Sequence, residues 1–150
     1  MTRKFPMQPL LDLSRNHVDA AARNLLALKL RWHEAEEKLG QLLAYRASYR
    51  DRLHDAGSGG VSAAALRDFH LFMAKLDAAI KLQQDEVARC QTRWNAGQQE
   101  WLRQRARVRA FEVLSARHRR AEERREQGVE QKEQDEFASK QNPGRRTEGE

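Results

Sequence analysis

The stretch Leu25–Gly60, "LLALKLRWHEAEEKLGQLLAYRASYRDRLHDAGSGG", decides the fold. Its apolar residues recur at alternating steps of three and four, and then the pattern stops at a glycine cluster. Working outward, a positions fall at Leu11, Val18, Leu25, Trp32, Leu39, Arg46 and Leu53, and d positions at Ser14, Ala21, Leu28, Ala35, Leu42, Tyr49 and Ala56. Only Ser14 and Arg46 depart from an apolar or aromatic seam. A strict heptad alternation over this length is the signature of a coiled coil. Pro9 stands just before it, where proline suits a helix start.

"AGSGG", residues 56–60, interrupts any helix. Ser62 is placed to cap a second one. A second run follows, with a positions at Leu66, Met73, Ile80, Val87, Trp94, Trp101 and Val108, and d positions at Phe69, Leu76, Gln83, Cys90, Gly97, Gln104 and Phe111. Two heptad helices joined by so short a link fold back on each other. The expected fold is therefore all-α, a long antiparallel two-helix coiled-coil hairpin whose second helix is the longer. Residues 1–9 form an N-terminal segment, and helices span 10–56 and 62–139 around a turn at 57–61. Residues 140–150, which include "NPGRRTEGE", read as a disordered tail. The expected register sets Leu53 near Leu66, Leu42 near Leu76 or Asp77, Leu39 near Ile80, Leu25 near Trp94, Val18 near Trp101 and Ala21 opposite Gly97. The second helix overshoots the first, and from Glu112 to Ser139 it has few seam residues. That part is expected to need a partner.

Composition agrees with long solvated helices. The chain has 150 residues, 33% of them charged, and no proline between Pro9 and Pro143. One cysteine, Cys90, excludes an internal disulfide and fits a reducing compartment. No apolar run is long enough for a membrane span and no signal peptide is evident, so the expected location is cytoplasmic.

Catalytic chemistry finds no support. The five histidines are far apart in sequence. His33 and Glu37 share a helix face, but two ligands do not make a metal site. Cys90 at a d position reads as a buried, inert thiol. No phosphate-binding glycine loop is present. The expectation is a protein without enzymatic activity, cofactor or metal.

The net charge of +6 points to an acidic partner. From Trp101 to Arg125 there are nine arginines against three glutamates, and from Glu126 to Lys140 the balance is acidic. A nucleic-acid-binding basic coiled coil is one alternative. DNA readers of the basic-region type, however, fork from a parallel zipper. Here the heptads form a hairpin, and Glu112, Glu122, Glu123 and Glu126 interrupt the charge. An acidic protein surface fits better. Tyr49 is a seam residue, whereas Tyr45 and Phe72 are both g positions and face each other on one flank. With Leu42, Tyr49, Leu76 and Ala79 they make an apolar strip, a candidate interface.

Four stretches resemble one family. They are "KFPMQPLLDLSRNHVDAAARNL" (4–25), "LLAYRASYRDRL" (42–53), "LRDFHLFMAKLDAAI" (66–80) and "EQKEQDEFAS" (130–139). In this order and spacing they are similar to the flagellar FliJ family. The resemblance implies a two-helix coiled coil, like the central stalk of rotary ATPases. It also implies work in the flagellar type III export apparatus, at the cytoplasmic face of the inner membrane. The implied partners are the hexameric export ATPase FliI, the export-gate protein FlhA and export chaperones, whose recycling the family serves. Carried onto this chain, the gate-facing patch becomes Leu42, Tyr45, Tyr49, Phe72, Leu76 and Ala79. Lys38 and Gln83 at its margin differ from relatives. The ATPase contact is expected among Arg103, Arg105, Arg107, Arg109, Arg117, Arg119 and Arg120. An injectisome-type secretion stalk is the near alternative, which the flagellar end motifs argue against.

Overall fold

The computed structural model describes residues 2–141. They form two long helices packed against each other, α1 (Gln8–Gly57) and α2 (Ala63–Gln141), the second longer than the first. Each helix runs a residue or two past its expected outer end. Gln8 and Pro9 belong to α1, and Lys140 and Gln141 belong to α2 rather than to a tail. Proline costs nothing in a first turn, where its missing N–H would have no partner anyway. The rest of the expected tail, residues 142–150, lies outside the described residues.

The turn is built from local bonds. Ser58 Oγ donates to the Asp55 carbonyl at 2.7 Å, and the Gly59 amide donates to Ala56 at 3.1 Å. Gly60 has φ +84, a conformation that L residues avoid. The Ala65 amide donates to Ser62 Oγ at 3.2 Å, so Ser62 caps α2 as its residue type predicts. Gly40 is a different case. It lies exposed within α1, and a Cβ there would meet nothing within 4 Å. The two glycines should therefore respond oppositely to alanine. Gly40→Ala is expected to stabilise by about 1 kcal/mol through helix propensity. Gly60→Ala is expected to cost about 1–2 kcal/mol through its left-handed backbone. Urea titration of the two variants checks the opposite signs.

By contact the described chain divides into two compact units, Asp19–Arg103 and the flanking segments up to Val18 and from Gln104. In the first unit the core is Met73, Leu76 and Ile80, against which Leu39, Leu42, Leu43, Tyr49, Phe69 and Phe72 pack. Both polar seam positions here find partners across the pair. Arg46 Nη1 donates to Asp77 Oδ1 at 3.1 Å, and Gln83 Nε2 donates to the Ala35 carbonyl at 2.9 Å. The register differs from expectation in the middle of the hairpin. Trp94 packs on Trp32, with ring centroids 5.4 Å apart, a contact that the expected register does not include. Gly97 faces Leu28 and Leu25 instead of Ala21, and a Cβ on it would come within 2.7 Å of Leu28 Cδ1. The cause is geometric. Helical side chains lean toward their own N-terminus. Across an antiparallel pair, long side chains therefore meet partners of higher number than a level-by-level pairing gives.

In the second unit Leu11 and Ser14 are buried on α1. The α2 heptad continues through Ser115, His118 and Glu122, polar residues that are buried or half-buried. The segment preceding α1 covers them. The Arg3 carbonyl accepts from His118 Nε2 at 2.9 Å, so that nitrogen carries the proton. The Arg3 amide donates to Glu122 Oε2 at 3.4 Å, and Phe5 tilts against the His118 ring with centroids 5.7 Å apart. Glu122, only 7% exposed, also pairs with Arg125 at 3.3 Å. Part of the overshoot that the apolar pattern left without cover is thus covered by the N-terminal segment. It is a polar seam, invisible to a search for apolar heptads.

Candidate partner-binding surfaces

Near the turn five ring-bearing residues gather. Tyr49 stacks face to face on Phe69 at 4.8 Å and tilts against Phe72 at 4.5 Å. Tyr45 meets Phe72 edge-on, with centroids 6.1 Å apart and planes at 78°, and lies 6.3 Å from Tyr49. His70 leans on Phe69. The two tyrosines divide as their heptad positions require. Tyr49 is half-buried on the seam, and Tyr45 is 48% exposed on the flank. Leu42, Phe72 and Ala79 are half-buried around them. Leu76 is buried and lies in the core beneath the strip, so it supports the surface more than it presents itself. An edge-to-face pair with one ring open to water offers a flat apolar contact and a free phenol oxygen.

The arginines are arranged differently. Arg103 pairs with Glu100 at 2.8 Å, and Arg105 is half-buried. Arg107, Arg109, Arg117, Arg119 and Arg120 are exposed. At 100° per residue these positions spread around the solvent side of α2 and share no single face. Glu112, among them, is matched by Arg15 at 3.6 Å. Such a collar attracts acidic surface from several directions without a fixed docking geometry.

Cys90 is buried, and its burial together with its bond to Glu86 pushes its thiol above the ordinary range, so it stays protonated. Glu86 is held below the usual carboxylate range, first by its bond to Arg89 and then by Cys90. Among the described residues no three His, Cys, Asp or Glu are grouped to hold a metal. Nor is any described helix long and apolar enough to cross a membrane.

Comparison with known proteins adds the decisive observation. Residues 3–146 match the protein family described as Flagellar FliJ protein. The chain belongs to the FliJ family. It is 28% identical over 140 residues to the Flagellar FliJ protein of Escherichia coli (strain K12), covering 93% of this chain and 95% of that one. The Flagellar FliJ protein of Salmonella typhi is 26% identical over the same shares of both chains. No solved structure matches. As a FliJ protein the chain is a component of flagellar protein export and motility, in a family of export components rather than of catalysts.

Proposed function

We propose that the chain is a non-enzymatic stalk at the cytoplasmic face of the inner membrane. It binds the ring of the export ATPase FliI through its arginine collar, and the export gate FlhA through the strip around Tyr45 and Phe72. It also takes part in recycling export chaperones. The observation that carries this reading is the contrast between the two surfaces. One is a localised aromatic strip with a partly exposed ring, suited to a specific grip. The other is a charge collar without a preferred face. Exposed ion pairs are weak and screened, so a shaft of this kind can sit among several equivalent subunits without locking to one. Force or conformational bias then passes along paired helices rather than through a reaction centre.

A pull-down against purified FliI and the cytoplasmic part of FlhA tests it. Reversing Arg107, Arg109, Arg117 and Arg120 to Glu is expected to weaken capture of FliI by about tenfold or more while sparing FlhA. FliI capture that is indifferent to the reversal, in a variant of normal helix content, would sink the assignment of the collar.

A further inference from the structure

From Gln127 to Gln141 every residue of α2 is exposed. This is about four turns of helix, interrupted by Gly128, and such a piece is marginal without cover. Its charge is also organised. A stripe that advances by threes and fours along α2 runs through Arg109, Glu112, Ala116 and Arg119, then Glu123, Glu126, Glu130 and Glu133, and ends at Phe137, which is 62% exposed. Arg15 matches Glu112 at 3.6 Å, which leaves the first half basic, and the second half is acidic. On one continuous helix the two halves cannot reach each other. A second copy running the opposite way brings each half onto its complement.

We propose that the chain self-associates through this stripe, as a two-fold pair of antiparallel α2 segments. Arg109 of each copy faces Glu133 of the other, and Arg119 faces Glu123, so each pair forms twice under the symmetry. Glu112 then lies opposite Glu130 of the second copy, and Arg15, 3.6 Å from Glu112, sits where that repulsion would fall. The contact gives the uncovered end of α2 the neighbour that its composition lacks. Its partner is another molecule of the same chain, so the inference does not depend on the export reading.

Each exposed ion pair contributes little, so the pair is weak and sensitive to salt. Sedimentation velocity on the full chain tests it, at about 0.1 M and about 1 M salt, where charge interactions reach roughly 10 Å and 3 Å. The expected result is a monomer–dimer equilibrium at the lower salt that shifts to monomer at the higher. Glu123→Arg with Glu133→Arg, or Arg109→Glu with Arg119→Glu, should each weaken the dimer by about tenfold or more. The four substitutions combined should restore it, with helix content unchanged by circular dichroism throughout. A chain that stays monomeric at all concentrations overturns the proposal, as does a dimer indifferent to both reversals.

Discussion

Tyr45→Ala combined with Phe72→Ala is expected to remove binding to the export gate, with a loss of about 2–4 kcal/mol, roughly 30- to 1,000-fold. Tyr45 presents the most exposed ring of the turn-proximal strip, and Phe72 supports it edge-on at 6.1 Å. The stacked pair Tyr49–Phe69 remains, so the hairpin end keeps its main aromatic contact. Affinity for the cytoplasmic part of FlhA and swimming in soft agar are the readouts, with circular dichroism as the control for folding. Tyr45→Ala alone separates the roles further. It takes away an exposed ring, and little stability should go with it. If the double variant binds the gate and swims normally, the strip belongs to the fold and not to a partner.

Ile80→Ala should produce the largest loss of stability from a single truncation, about 2–5 kcal/mol. Ile80 is 2% exposed and sits in the core with Met73 and Leu76, where the surrounding leucines and rings cannot close the gap fully. Leu82, two residues on, is 68% exposed. Leu82→Ala should stay within about 0.5 kcal/mol of the parent. A helix pair offers little surface to bury per residue, so the first loss is a large fraction of the total. Urea unfolding midpoints that fall equally for both variants would show that the heptad seam is not what holds the helices together.

Most of the architecture was legible because one periodicity runs through it. From Leu11 to Leu53 and from Phe69 to Phe111 every a and d position is buried or half-buried, Ser14 and Arg46 included. Ala56 and Leu66 fail only because they flank the turn, where no partner layer remains. The split between Tyr45 and Tyr49 was equally legible, since a one-position difference on the helical wheel moves a ring from seam to flank. Two features were less accessible. The Trp32–Trp94 contact depends on how far long side chains lean along the axis, which heptad letters do not encode. The cover over His118 and Glu122 comes from residues before the first helix, and it uses backbone groups of Arg3 that any residue type would supply. A trace did exist, since α2's heptad carried past Phe111 lands on Ser115, His118 and Glu122. Apolar scoring gives those positions no weight.

That last contact fixes an order of assembly. The bond between Arg3 and Glu122 closes across 119 positions of the chain, whereas the aromatic contacts near the turn join residues much closer in sequence. Loop-closure entropy favours the nearer partners. On the ribosome the segment around Arg3 emerges about 6–24 seconds before the residues it docks on, at ordinary synthesis rates. The turn-proximal helices can pair in that interval. The segment around Arg3 must wait, unattached, until His118 and Glu122 have been made. A pause or truncation before His118 would therefore leave a hairpin that has closed at its turn and has nowhere to seat the residues around Arg3.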